Sequence, residues 1–314
     1  NYRNGVVLAP MVRSGTLPSR LLALKYGADL VWGPEIVDRG MIGCSRVVDD
    51  ATGVITYEKA GKPIWSTHPI EKPYLIYQVG SANPDLAAQS AMIVAQDVSG
   101  VELNCGCPKP FSTHAGMGAN LLSTPDLLCD ILVKLRSSLP QSIAVSAKIR
   151  MLPSQEDTLA LVRRIVSTGI SCLTVHCRTK EMRKRESALI HRLREIVECV
   201  EEMGLGIPVI ANGDCLSRDD AVRLRDVTGA HSVMIATAAE KNLSCFAPGP
   251  LVDAESVLAP AYISLARYIN NPWGNSKHCL SQFSSPGTSN DSIVGRKASL
   301  RDFKQRLAQA KGYE

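Results

Sequence analysis

The residues Ile143-Ala144-Val145-Ser146-Ala147-Lys148, Ser154-Gln155-Glu156-Asp157, Thr158 to Gly169 and Cys172-Leu173-Thr174-Val175-His176 follow one another as strand, cap, helix and strand. The two outer runs are short and apolar, as buried strands are. Ser154, followed by acidic residues, offers a side-chain oxygen to the unpaired amides of a helix start. Leu159, Val162 and Val166 recur at three- and four-residue spacing while Arg163 and Arg164 fall on another face, and Gly169 is the expected stop. Two strands joined through a helix run parallel, and apolar strands in a parallel sheet are covered by helices.

The same alternation extends in both directions. Strand-like runs stand at Gly5-Val6-Val7-Leu8-Ala9, Asp29-Leu30-Val31-Trp32, Tyr74-Leu75-Ile76-Tyr77-Gln78, Gly100-Val101-Glu102-Leu103-Asn104, Ile207-Pro208-Val209-Ile210-Ala211 and His231-Ser232-Val233-Met234-Ile235-Ala236. With the first two these make eight. Helix starts are expected at Leu17-Pro18, Asn83-Pro84, Thr124-Pro125 and Ser217. Eight such units within about 240 residues favour a (β/α)8 TIM barrel over an open doubly wound sheet, whose glycine fingerprint is missing. Cys44 to Pro69 interrupts the pattern with a hairpin-like Val54-Ile55-Thr56-Tyr57, expected to be a surface elaboration. After Pro248-Gly249-Pro250 only helical stretches follow, broken by a Ser/Gly/Asn-rich segment at 284–292. Residues 1–247 are therefore expected to form the barrel and 248–314 a small all-α domain.

Composition narrows the function. An apolar fraction of 45% with 21% charged residues excludes a disordered or fibrous chain, and a net charge of +5 is too mild to declare nucleic-acid binding by itself. Ten cysteines are scattered rather than packed into a short scaffold, and are read as reduced thiols. No run is long enough to span a membrane and no secretory leader is visible, so a cytoplasmic protein, nuclear residence being equally compatible, and a monomer are expected.

A parallel barrel carries its chemistry on the loops after its strands. Those ends read Ala9-Pro10-Met11, Glu35, Gln78, Asn104 with Cys105-Gly106-Cys107-Pro108-Lys109, Lys148 with Arg150, His176 with Arg178, Asn212-Gly213-Asp214, and Ala236-Thr237-Ala238. Loops after strands seven and eight often hold a phosphate through backbone amides, and Gly213 with the small residues near Ala236 permits that approach. A phosphate there, with Gln78, Lys148 and His176 around a planar ring, fits flavin mononucleotide. A fixed positive charge from Lys148 near N1 and C2 of such a ring favours its reduced state. On residue chemistry alone other readings stay open. A single Cys is commonly a small buried apolar group, His176 is equally readable as structural, and Lys148 as a Schiff-base lysine. The Cys105/Cys107 pair lacks a second, well-spaced pair, so no metal is expected.

Taken in order, the motifs carry a resemblance. They are Leu8-Ala9-Pro10-Met11-Val12-Arg13-Ser14-Gly15-Thr16-Leu17-Pro18, Asn104-Cys105-Gly106-Cys107-Pro108-Lys109, Gly116-Met117-Gly118-Ala119-Asn120-Leu121-Leu122, Lys148-Ile149-Arg150, His176-Cys177-Arg178-Thr179, Ala211-Asn212-Gly213-Asp214 and Asn275-Ser276-Lys277-His278-Cys279-Leu280. The chain resembles the tRNA-dihydrouridine synthases, most nearly the eukaryotic class acting on uridine 20 of the D-loop. The resemblance implies an oxidoreductase in which FMN, reduced by NADPH, delivers hydride to C6 of a tRNA uridine while Cys107 protonates C5. It implies FMN contacts at Pro10, Met11, Gln78, Lys148, His176, Asn212, Gly213, Ala236 and Thr237, a uracil contact at Asn104, and substrate contacts at Glu35 and Arg178. The uridine must leave its stack to reach such a ring.

In that family the C-terminal helical domain grips tRNA. Residues 252–314 hold eight Lys/Arg against five acids, with Arg296, Lys297, Arg301, Lys304 and Arg306 clustered, and Arg301, Lys304 and Arg306 are expected to face phosphates. Two positions depart from the family pattern: Thr237 stands where an Arg is expected, and Cys177 where a Gly is usual. No double-stranded-RNA-binding module occurs within these residues, so tRNA affinity is expected to rest on barrel and helical domain. The rival readings are an FMN-barrel oxidoreductase for a free small molecule and a catalytically inactive tRNA-binding homologue.

Overall fold

A computed structural model describes residues 2–183, 185–285 and 302–313. Eight strands close a parallel barrel: β1 (Val6–Leu8), β2 (Val31–Trp32), β3 (Leu75–Gly80), β4 (Gly100–Cys105), β5 (Ala144–Arg150), β6 (Cys172–His176), β7 (Val209–Asn212) and β8 (Ser232–Ile235). Each pairs with its neighbours in sequence, and β8 returns to β1 through Val6 opposite Val233. The covering helices are α1 (Leu17–Lys25), α2 (Pro84–Val94), α3 (Pro125–Ser138), α4 (Gln155–Val166), α5 (Leu193–Glu202), α6 (Arg218–Thr228) and the short α7 (Thr237–Lys241).

Three of the expected caps form. Asn83 Oδ1 accepts from the Leu86 amide at 3.0 Å, and Ser154 Oγ and Ser217 Oγ accept from Asp157 and Asp220 amides at 3.2 Å each. Thr124 does not cap α3: it follows a 3-10 turn directly, and its hydroxyl donates back to the Leu121 carbonyl at 3.5 Å. That nearby carbonyl competes for the side chain that the sequence assigned to the helix.

Alternation along the strands separates two cores. Val7, Trp32, Ile76, Cys172, Ile210 and Met234 pack inside the ring. Leu8, Leu103, Cys105, Val145, Ile149 and Val175 point outward against helix residues such as Leu128, Ile131, Ile165 and Ile196. Cys105 is thus part of the wall. On one side of the interior, buried Glu102, Ser146 and Thr174 replace apolar residues.

The insertion between β2 and β3 is more than a surface hairpin. Ser45–Val48, Ile55–Lys59 and Lys62–Thr67 form a three-stranded antiparallel sheet. Its period of two turns Ile55, Tyr57 and Trp65 inward, with Trp65 5.5 Å from the Tyr57 ring and 5.4 Å from that of Tyr77 on β3. Burial of this face is why the insertion belongs to the core. Arg20 of α1 clamps its far end: Nε and Nη2 meet Glu71 at 2.9 and 2.7 Å, and the guanidinium also donates to the carbonyls of Gly15 and Ser66.

Beyond the barrel come α8 (Ala259–Tyr268), α9 (Trp273–Gln282) and a helix over 302–309. Leu258, Tyr262, Leu280, Phe283 and Leu307 join the outer core, so these helices are packed on the barrel and not tethered to it. Lys277 Nζ donates to the carbonyls of Ala308 and Ala310 at 2.8 and 2.9 Å, which ties α9 to the end of the 302–309 helix. Among the described residues no helix is long and apolar enough to cross a membrane.

The Arg20–Glu71 pair is 1% and 0% exposed, whereas Lys134–Asp85 is 44% and 69% exposed. Glu71→Ala leaves a buried guanidinium unpaired and is expected to cost about 3–5 kcal/mol in urea unfolding. Asp85→Ala is expected to change stability by about 0.5 kcal/mol or less; equal losses for the two would contradict the assignment.

Candidate active site

The C-terminal ends of the strands open on a cavity of about 890 Å³. Its lining brings together the strand-end residues expected to meet cofactor or uracil: Pro10, Met11, Glu35, Gln78, Asn104, Cys107, Lys148, His176, Arg178, Asn212, Gly213, Ala236 and Thr237. Lys304 and Arg306 are elsewhere, exposed on the 302–309 helix, whose Leu307 is buried. Arg301 lies outside the described residues, as do Arg296 and Lys297.

Cys107 sits on the loop after β4, and its backbone is held from several sides. Asn104 Oδ1 accepts from the amides of Gly106 and Cys107 at 2.9 and 3.1 Å. Arg150 Nε, from the end of β5, donates to the Gly106 carbonyl at 2.7 Å, and the Cys107 carbonyl accepts from the Ala119 amide at 2.9 Å. Gly118 has φ +60°, and a Cβ there would lie 2.6 Å from the Cys107 carbonyl oxygen and 2.4 Å from Ser112 Oγ. Only glycine lets the returning chain come this close. The Gly116–Leu122 motif is therefore a closely packed support for the cysteine loop.

Burial pushes the Cys107 thiol above its ordinary value, and the neighbouring Glu35 carboxylate adds to the rise, opposed by the Lys109 amide. Glu35 is itself raised by burial, with hydrogen bonding to Cys107, Ser112 and Asn104 pulling the other way. Its Oε1 faces Ser112 Oγ at 3.4 Å, while Oε2 is buried without a partner. An acid–thiol pair of this kind keeps the sulfur protonated through neutral pH.

Lys148 Nζ donates to Asn212 Oδ1 at 2.9 Å, and Asn212 Nδ2 to the Met234 carbonyl at 3.0 Å. Burial lowers the lysine, and the Glu102 carboxylate opposes that shift. Burial raises Glu102, and Lys148 opposes that in turn. Glu102 is fully buried and Lys148 half-buried, and each favours the other's ionised form against desolvation.

Arg178 lines the cavity but is largely engaged. Its guanidinium donates to the Glu186 carbonyl at 2.9 and 2.7 Å and to Asp214 at 2.6 Å, and stands 3.4 Å from His176 Nε2. It ties the loops after β6 and β7 together. Gly213 on the second loop has φ +145°, and a Cβ there would meet Ala188 at 2.9 Å. Cys177 is fully buried in the outer core, so the side chain standing at a usual glycine position stays out of the cavity.

Sequence reasoning passed over Arg150 as a loop clamp, Ser112, and above all Glu102. A carboxylate in the middle of an otherwise apolar strand was the available signal for Glu102. Its direction depends on strand register, with Gln78 and Ser146 beside it on β3 and β5.

A closed parallel barrel with a polar mouth, a cysteine on the loop after β4 and a half-buried lysine near the end of β5 defines the class: a single (β/α)8 barrel whose polar side chains gather at the strand ends. The sequence model of the dihydrouridine synthase (Dus) family matches residues 7–266, and the chain belongs to that family. A tRNA-dihydrouridine(20) synthase [NAD(P)+] of Schizosaccharomyces pombe is 48% identical over 290 residues, 90% of this chain and 60% of that protein. The corresponding protein of Saccharomyces cerevisiae is 42% identical over 301 residues, 90% of this chain and 77% of its own length. The chain thus spans 60% of the fission-yeast relative. A solved 2-naphthoyl-CoA reductase shares the fold, with TM-score 0.50 and 9% identity over 77% of this chain and 49% of that one.

A raised thiol keeps its proton to higher pH, so alkylation of Cys107 by iodoacetamide is expected to show its inflection above that of an ordinary thiol. Glu35→Gln removes the carboxylate that raises it, and the inflection moves down. Peptide mass spectrometry reads both; an inflection at or below about pH 8.5, the ordinary thiol value, or an upward move, would contradict the assignment.

Proposed function

We propose that this chain carries the catalytic core of a tRNA-dihydrouridine synthase, using FMN and NADPH to reduce a D-loop uridine to 5,6-dihydrouridine. The observation that carries the reading is Cys107, a thiol held protonated on a loop pinned over the same cavity as Lys148. Family membership and the two yeast relatives support the substrate class.

The residues at the mouth fit FMN. Backbone and small side chains at Gly213, Ala236, Thr237 and Ala238 leave room for a phosphate, without the arginine expected at 237. Lys148 offers a cation to the polar edge of the ring, and Gln78 and Asn104 have amide hydrogens for its carbonyls or those of uracil. Pro10, Met11, His176 and Asn212 complete the holding set. When bound, reduced FMN supplies the hydride taken up at C6 of the uracil.

Cys107 gives its proton to C5, so the ring gains two hydrogens and Sγ is left as thiolate, which solvent reprotonates. Glu35 keeps that thiol protonated between turnovers by raising its affinity for the proton. Asn104 fixes the loop and faces the cavity where the uracil would lie. Arg178, engaged by Asp214 and Glu186, acts on substrate chiefly by holding the wall of the cleft.

We assign residues 1–247 to the catalytic barrel and 248–314 to a helical region that grips tRNA. Lys304 and Arg306 on the exposed face of the 302–309 helix are the described cations of that surface, and Arg301 adjoins them in sequence. The cysteines are all free thiols, which fits a monomer working in the reducing cytoplasm or nucleus.

A purified preparation should be yellow, absorbing near about 450 nm, and should bleach with NADPH. Cys107→Ala should leave flavin bound and reducible yet lower dihydrouridine formation by about 10²-fold or more, read by mapping dihydrouridine in tRNA. Undiminished product refutes the role of Cys107, and a preparation unable to take up FMN refutes the reaction. Neutralising Lys304 and Arg306 together should weaken tRNA binding and flatten the slope of log K against log salt by about 1–2. An unchanged slope removes that surface from the binding site.

A further inference from the structure

The turn that presents Cys107 is held from a depth the cavity does not reach. Glu102 precedes Asn104 by two residues on β4, is fully buried, and is not among the cavity's lining residues. The chain of contacts between them has only one consistent sense. The Gly106 and Cys107 amides can only donate, so Asn104 turns its carbonyl to them and its NH2 toward Gln78. Gln78 must then meet Asn104 with its carbonyl, at 3.2 Å, and present its own NH2 downward, where Glu102 Oε1 accepts at 2.9 Å. Thr174 Oγ1 approaches Glu102 Oε2 at 3.5 Å, and the buried Trp32 indole N–H, without a closer partner, faces the same carboxylate. Donors thus surround a group that, ionised, can only accept.

We propose that Glu102 is a positioning residue: it sets the donor–acceptor sense of the Gln78–Asn104 amide pair and thereby fixes the Gly106–Cys107 backbone over the cavity. The relay is pinned at its top by two backbone amides and at its bottom by a carboxylate, and the two amide side chains between them have no freedom to flip. One hydrogen on each of Gln78 Nε2 and Asn104 Nδ2 is left over, so the relay also makes this wall a donor surface for ligand carbonyls. The effect on turnover rests on the reading of Cys107 as the proton donor; the relay itself does not.

The test exploits a polarity swap. Glu102→Gln is nearly isosteric but sets an NH2 against either the Gln78 NH2 or the Trp32 N–H, so one donor is unmet and the fault passes up to the loop. Cys107 alkylation in the flavin-free and tRNA-free protein is expected to speed up by about tenfold, with Cys44 and Cys129 as internal references. Adding Gln78→Glu restores one consistent sense: the new carboxylate accepts from Asn104 above and from the amide NH2 introduced at position 102 below. The double variant is expected to return to within about twofold of the parent rate, which a merely structural loss at residue 102 would not allow. Equal rates in parent and E102Q, or a double variant as reactive as E102Q, overturn the proposal. Should E102Q fail to fold, the double variant decides alone, loop protection sustaining the relay and its loss overturning it. In the loaded enzyme, E102Q should slow product formation on tRNA. A parent protein that takes up no flavin would sink the functional reading and leave the alkylation result standing.

Discussion

Two backbone amides at the end of β4, those of Gly106 and Cys107, have no strand to bond to, and one side-chain carbonyl, on Asn104, accepts both. Much of the site depends on that exchange. A buried amide without a partner is costly, so the strand cannot end here unless its last inward residue can turn back upon the loop. Asn104 does so only because Gln78 takes its other end. The cysteine is placed by a polar chain that starts inside the barrel, and its loop is tightened from outside by Arg150 and by the close approach of Gly118.

The electrostatics follow from the same confinement. A closed eight-stranded barrel has an interior filled by side chains, so any charge in it must be answered by the groups around it. Glu102 and Lys148 answer each other, Arg178 is answered by Asp214, and Glu35 is answered in part by hydroxyl and thiol. The outcome is a mouth with a cation and hydrogen-bond donors on one wall and a proton-holding thiol on another. Such a pairing suits a reaction that adds hydride and proton to one polarised double bond. Neutral side chains could have given the same shape without the same distribution of protons.

Support for this mouth comes from parts of the chain that carry no chemistry. The insertion before β3 buries Tyr57 and Trp65 against the barrel, and the Arg20–Glu71 clamp joins it to α1. The terminal helices share the outer core through Tyr262, Leu280 and Phe283, and the Ser284 amide bonds to the Lys241 carbonyl beside the cavity. The 302–309 helix is docked through Phe303 and Leu307, with Lys304 and Arg306 left exposed.

The sequence by itself determined the eight strands and the residues at their ends. Apolar runs of strand length separated by capped helices admit few other folds, and strand-end residues project to one mouth whatever the detailed packing. Local patterns also placed the caps at Asn83, Ser154 and Ser217. They placed the start of α3 at Thr124-Pro125 but not the Thr124 hydroxyl, for which the Leu121 carbonyl in the preceding turn was the better partner. Only the tertiary structure decided what those patterns left free: that the insertion's sheet is buried, that Arg178 and Lys277 are largely spent on neighbouring groups, and that Glu102 lies beneath the site. The reason is that inward or outward direction, and the partner that answers a buried charge, depend on strand register and barrel closure. Those are contacts between residues far apart in the chain, which no local window contains.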